Sequence, residues 1–200
     1  MKKSLKETAD RLLKTEGNVR GEVFRNTFSY IRETQGEQAV KLLEDKLAEL
    51  GYPLKFKDVN RMSWYPEGLS VLLVLLTKEV LGFSDSDVFK MGNSVLKYSF
   101  IIKVMVRHFV SLDKVLERAP LLWNKHFDFG GVEIVEANEE KKYAIVRILG
   151  YKFHEVGCHY LAGYFLRVVQ LCIKSDKITI KETKCAHQGS PYHEFLVEWS

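Results

Sequence analysis

Four side chains near the C-terminal end are of the types that a tetrahedral metal ion accepts: Cys158, Glu182, Cys185 and His193 offer thiolate, carboxylate and imidazole donors. Their spacing is what gives the set meaning. Glu182 and Cys185 end one stretch of strand-like alternation and His193 begins the next. The turn between them, with Gly189, Ser190 and Pro191, can bring all three to one corner of a sheet. Cys158 follows Gly157 at an expected helix start, where unpaired N–H groups and the helix dipole favour the thiolate that a metal binds. Four protein ligands leave no open coordination position, so a zinc held here is expected to be structural, tying helix to sheet without activating water.

Each of these residues also has a plainer reading. Cys158 and Cys185 read equally as small core residues, and Cys172, in an apolar helix, reads as core outright. Glu182 shares strand parity with Ile178 and Ile180, and a buried carboxylate needs a partner, which a Lys or Arg can be as well as a metal. His193 shares parity with Phe195, Val197 and Trp199, so a hydrogen-bonded core histidine is its alternative, with His187 and His159 as substitute ligands. Adjacent Cys158 and His159 do not make a nucleophile and base, because neighbours on a helix point about 100° apart. A haem reading needs His108, in VMVRHFV, or an equivalent as axial ligand, against a core or surface histidine. Tyr65, Phe100, Met105, Trp123, Tyr160, Tyr164 and Phe165 either line a pocket between helices and sheet or fill the core.

The elements that position these groups follow from periodicity. Val23, Phe24, Thr27, Phe28 and Ile31 keep helical spacing, and after Gly36 the pattern repeats through Ala39, Val40, Leu43, Leu47 and Leu50 to a stop at Gly51 and Pro53. A linker from Leu54 to Pro66 precedes a helix from Gly68 to Leu81 that is apolar almost all round, hence buried, with Gly82 as its stop. Ser84 caps an expected long helix from Asp85 to Val110, and Leu112 to Phe127 forms another around Pro120. From Gly131 the period changes to two: Gly131 to Ala137 and Lys142 to Leu149 make a hairpin, Cys158 to Cys172 a helix, and Lys177 to Lys184 and His193 to Trp199 two further strands. The fold class is therefore α+β, a helical N-terminal half packed on a four-stranded antiparallel sheet of β-β-α-β-β order. Residues 1–53 are expected as a helical extension to a ligand-binding domain at 54–200, or residues 1–200 as one continuous domain.

Whole-chain totals exclude several classes. With 200 residues, 46% hydrophobic and 28% charged, the chain has enough apolar material for a core. The net charge of +4 comes from 30 basic and 26 acidic residues without any like-charged block, so nucleic acid is not an expected partner. The start, MKKSLKETADRLLK, alternates charged and apolar residues and reads as a surface helix, not a secretory signal. Neither apolar stretch, Leu69 to Leu76 or Tyr98 to Val106, approaches the ~20 residues of a membrane span. Three cysteines without an export signal point to a reducing, cytoplasmic setting and no disulfide.

The segment GCHYLAGYF, followed by ETKCAHQGSPYHEFLVEW, resembles the 4-vinyl reductase domain family, over roughly residues 130–199 and, loosely through GEQAVKLLEDKLAELG, before it. In that pattern a cysteine opens a helix, L-x-G-Y follows, and E-x-x-C, a glycine turn and a last cysteine complete it. The family shares a fold group with the small core subunits of the TRAPP vesicle-tethering complex and with haem-NO-binding domains. In its members that sense aromatic compounds the Cys, Glu, Cys and Cys positions hold zinc. The resemblance carries these onto Cys158, Glu182, Cys185 and His193, where histidine replaces the last cysteine and remains an acceptable ligand. It implies a non-enzymatic sensing module for a small hydrophobic or aromatic molecule, signalling through a protein partner or a homodimer formed on Gly68 to Leu81 or Val95 to Val110. The rivals are a scaffolding or lipid-binding protein and a tetrapyrrole-related enzyme; no nucleotide loop, acid–base pair or open metal site supports the enzyme.

Overall fold

The structure, a computed structural model, describes residues 4–99 and 112–200. Helix α1 (Leu5–Lys14) opens on a capping box in which the Ser4 hydroxyl accepts from the Glu7 N–H and the Glu7 carboxylate accepts from the Ser4 N–H. Ala9 and Leu12 on its apolar face are wholly buried, and α1 lies against α4 (Glu67–Leu81). The segment expected as a surface helix thus contributes one face to the core. Helix α2 (Gly21–Gln35) runs to Gly36, whose φ of 86° reverses the chain into α3 (Glu37–Glu49).

A two-stranded ribbon joins β1 (Asn18–Arg20) to β2 (Trp64–Pro66), with Val19 opposite Tyr65. Strands of three residues are too short to show a period of two, so the sequence reads Leu54 to Pro66, which holds β2, as linker and assigns no strand at β1. Helix α4 is buried continuously from Glu67 to Thr77, as a helix apolar all round must be, and stops at Gly82 in the left-handed region. That burial corrects one expectation: the faces of α4 are occupied within the chain and do not offer a dimer contact.

Ser84 caps α5 (Asp85–Asn93) through a capping box with Asp87. The long helix expected to Val110 is not continuous where it is described. The Ser94 hydroxyl donates to the Met91 carbonyl at a turn, a short α6 (Val95–Tyr98) follows, and Ser99 is extended. Phe100, Met105, His108 and most of the second dimer segment lie outside the described residues. Helix α7 (Leu112–His126) carries Pro120 inside it.

Strands β3 (Gly131–Asn138), β4 (Tyr143–Leu149), β5 (Ile178–Lys184) and β6 (Tyr192–Trp199), with α8 (Val156–Gln170) between β4 and β5, form an antiparallel sheet in the order β3-β4-β6-β5. Ala144, Val146 and Ile148 on β4 and His193, Phe195 and Val197 on β6 point to the buried face. A single apolar cluster runs from Ala9 in α1 to Phe195 in β6. The fold is α+β with a helical N-terminal half and the β-β-α-β-β order that the hydrophobic periods imply.

Helices α5 and α8 cross at backbone contact. A Cβ on Gly163 would lie 2.0 Å from the Phe89 carbonyl oxygen, and one on Gly92 would lie 2.0 Å from that of Tyr160. Gly163→Ala is therefore expected to force the helices apart and lose about 1–3 kcal/mol or more. At roughly 2–4 °C per kcal/mol for a chain of this length, a thermal melt will show a clear fall. An unchanged melting temperature would mean the two helices do not touch here.

Candidate functional site

The four metal-donor residues converge at the start of α8. Cys158 reaches from the first turn of the helix, Glu182 from the end of β5, Cys185 from the turn beyond it, and His193 from the start of β6. Their donor atoms all lie within 4.8 Å of one another, with Cys158, Cys185 and His193 buried. A β-bulge between Glu182 and Lys184 shifts the β5–β6 register and turns the end of the strand toward this corner.

The separations can be compared with a tetrahedral metal. Cys158 Sγ is 3.8 Å from Cys185 Sγ and 3.6 Å from His193 Nδ1. Zinc bond lengths give tetrahedral edges of about 3.8 Å for S···S and about 3.5 Å for S···N. The ring of His193 is fixed from behind, because its Nε2–H donates to the Tyr151 carbonyl at 2.9 Å. Nδ1, on the other side of the ring, faces a Glu182 carboxylate oxygen at 2.8 Å. A ring nitrogen and a carboxylate oxygen at that separation share a proton or a cation.

The electrostatics differ from the expectation for Cys158. The helix start was expected to favour its thiolate, yet burial, reinforced by the Glu182 carboxylate and Cys185, pushes the thiol well above its ordinary value. Its N–H is also already bonded, to the Glu155 carbonyl. Burial raises Glu182 as well, but the His193 ring together with the Cys185 and Cys158 thiols outweighs it and holds the carboxyl below its usual range. A thiolate beside that carboxylate needs a cation to neutralise it.

The substitute ligands stand elsewhere. His159 faces Asp85 at 3.5 Å, which separates it from Cys158 and removes it as a base for that thiol. His187 is exposed, its ring 5.3 Å from that of His193. Cys172 donates to the Val168 carbonyl and packs beside Leu122.

Beyond its first turn α8 borders two internal cavities of about 40 Å³ each. The first lies between α7, the sheet and α8 and is apolar, with Trp123, Val146, Phe165 and Val168 in its wall. The second lies among α2, α4, α7 and α8, and its wall includes Asn26, Glu67, Ser70, Tyr151 and Tyr160. His126, Phe127 and Tyr164 border both. Of the aromatic set, Trp123, Tyr160, Tyr164 and Phe165 line cavities, whereas Tyr65 stacks obliquely on Phe24.

Tyr151 connects the two regions: its carbonyl holds His193, and its hydroxyl donates to Glu67 Oε1 at 2.9 Å. The phenol fits because Gly157 has no side chain; a Cβ there would lie 2.7 Å from the Tyr151 hydroxyl. Asn26, Glu67 and His126 were not singled out by sequence reasoning. A carboxylate opening a helix is ordinary, and only the tertiary fold shows that this one is sealed.

No family model and no curated protein matches the chain. Solved structures do. An H-NOX protein from S. oneidensis in its Fe(II) state superposes with a TM-score of 0.72 at 14% identity, over 90% of this chain and 96% of that one. An oxygen-binding H-NOX domain related to soluble guanylate cyclases gives 0.62 at 10% identity, over 90% and 95%. A structure described for haem redox potential and porphyrin distortion gives 0.63 at 9% identity, over 90% and 99%. The chain has the fold of these domains. Among the described residues no helix is long and apolar enough to cross a membrane.

Proposed function

We propose that this chain is a non-catalytic ligand-binding module in which a structural zinc, held by Cys158, Glu182, Cys185 and His193, fixes the helix that lines the ligand cavity. The observation that carries the reading is that one helix serves both ends. The first turn of α8 supplies a metal donor, and the following turns, through Tyr164, Phe165 and Val168, wall the apolar cavity between helices and sheet. A small, mostly apolar molecule in that cavity would bias the packing of α7 on α8, and the surface so altered would be read by a partner protein or a second copy of the chain. This is the behaviour that the resemblance to 4-vinyl reductase domains implies, and the H-NOX-like fold supports it.

Haem is the alternative occupant, because a similar structure is described with it. His126 has the right chemistry for an axial ligand: Nδ1 bonds the Leu122 carbonyl at 3.0 Å and the buried Nε2 has no partner among the described residues. Among the described residues the space does not fit. Cavities of about 40 Å³ on either side of His126 stand against the roughly 300–1,000 Å³ of pockets that enclose drug-sized ligands. No step is therefore assigned to haem.

Xenon-129 NMR on the full chain tests the cavity. A bound resonance is expected, and Ala119→Leu, which extends a side chain into the apolar wall, should abolish it. A protein that admits no xenon and retains no small molecule in native mass spectrometry would overturn the ligand-binding reading.

A further inference from the structure

The second cavity contains an excess of buried polar atoms that the fold does not use. Asn26, Glu67 and His126 are each at most 5% exposed, and four of their atoms have no hydrogen-bond partner among the described residues: Asn26 Oδ1 and Nδ2, Glu67 Oε2 and His126 Nε2. All three residues line the same small space. Buried polar atoms are almost always paired, so four orphans in one cavity indicate something that pairs them.

Their donor and acceptor roles are fixed by the partners they do have. The Nδ1 of His126 bonds the Leu122 carbonyl, so it carries the proton and Nε2 presents a lone pair. Burial lowers the basicity of this ring and keeps it neutral. Tyr151 donates to Glu67 Oε1, which leaves the carboxyl proton on Oε2, and burial pushes that carboxyl up to about 8. Asn26 supplies one acceptor and a donor. The cavity therefore presents two acceptor atoms, His126 Nε2 and Asn26 Oδ1, and two donor atoms, Glu67 Oε2 with one hydrogen and Asn26 Nδ2 with two.

We infer that this cavity binds the primary carboxamide group of a small uncharged molecule, with Asn26, Glu67 and His126 as its recognition residues. A primary amide has two N–H donors and a carbonyl with two lone pairs, so it can give each of the four orphan atoms one bond. A carboxylate offers no donor, an ammonium no acceptor, and an alcohol one donor only; the two ions would also enter a site with no opposite charge in its wall. The volume of about 40 Å³ has room for roughly two to three waters, or a head group of about that many heavy atoms. Any apolar body must extend past His126, Phe127 and Tyr164, which border the apolar cavity as well.

The inference rests on the reading of this fold as a ligand-binding module, and one titration separates the two. Acetamide, propionamide and butyramide are added to the full chain and followed by ¹H–¹⁵N NMR, beside acetate, ethylammonium and xenon. The amides are expected to shift the Asn26 side-chain and His126 ring signals, and their affinity to rise by about fourfold per methylene as the body reaches the apolar cavity. Asn26→Leu, close in shape and free of both orphan atoms, should fold, keep xenon and lose amide binding at least tenfold. Xenon bound without any amide response, or amides bound equally by Asn26→Leu, would overturn the carboxamide assignment and leave the cavity as a site for ordered water. Neither xenon nor any amide bound would overturn the ligand-binding reading along with it.

Discussion

Purified without chelator, the protein is expected to carry one zinc per chain, and stripping the metal should lower its melting temperature by roughly 8–16 °C. The magnitude follows from mass action. A metal that binds only the folded chain at a thousand times its dissociation constant stabilises it by about 4 kcal/mol. For a chain of this length each kcal/mol moves the melting temperature by roughly 2–4 °C. Without the ion, the corner holds the Cys158 thiol, raised by burial, beside Cys185, and the His193 ring facing a carboxylate across 2.8 Å. Cys158→Ala and His193→Ala should lose the zinc and the stability together. His193→Cys should retain both, since it replaces one zinc donor by another. Cys172→Ala should behave as the parent, because that thiol sits in the turn after α8 against the Val168 carbonyl, away from the cluster. Elemental analysis and a melt on each variant decide the matter: a metal-free parent of full stability, or equal zinc in Cys158→Ala, would reduce the four residues to core and turn positions.

The candidate donors were legible in the sequence because their types are few and their parity is local. His193 and Phe195 alternate on one strand and Glu182 keeps phase with Ile180, so a period of two suffices to aim them. The bulge beyond Glu182 was not legible, since nothing in Glu-Thr-Lys requires an extra residue there; the pairing with Glu194 does. The helical layer was legible wherever apolar spacing or a cap spoke, as at Ser84 and Gly82, and failed at Ser94, where one hydroxyl breaks a pattern that continues in the sequence. The cavity was least legible. Glu67 and Tyr151 are 84 positions apart, and their bond appears only when α4 and the segment after β4 are brought together by the fold. His126 makes a local bond four residues back, but that its other nitrogen is unpartnered is a property of three neighbouring helices.

Glu67 should make the folded protein markedly less stable as the pH rises from 5 to 8, and Glu67→Gln should remove most of that loss. Burial moves this carboxyl from 4.5 in an exposed chain up to about 8, outweighing the bond from Tyr151 and the nearby Ser70 hydroxyl. Below 4.5 both folded and unfolded chains hold the proton, and the neutral group contributes its full stability. Between 4.5 and 8 the unfolded chain releases the proton while the folded one keeps it, so stability falls by about 1.4 kcal/mol per pH unit. Above 8 the folded protein ionises too and the loss levels off. Across the roughly 3.5 pH units of the window the total is on the order of 5 kcal/mol. His126 works in the opposite sense: burial lowers its pKa, so its contribution is present above 6.5 and is lost as the pH falls through its folded value. The two together place the stability maximum of the parent on the acid side of neutrality, and only the Glu67 arm should respond to the substitution. Urea unfolding of parent and Glu67→Gln at pH 5, 6, 7 and 8 measures the difference directly. The two free energies should converge on the acid side and separate by several kcal/mol in favour of glutamine at pH 8. Parallel profiles would mean that Glu67 is ionised in the folded chain, with a cation beside it, and the cavity would then be charged, not neutral.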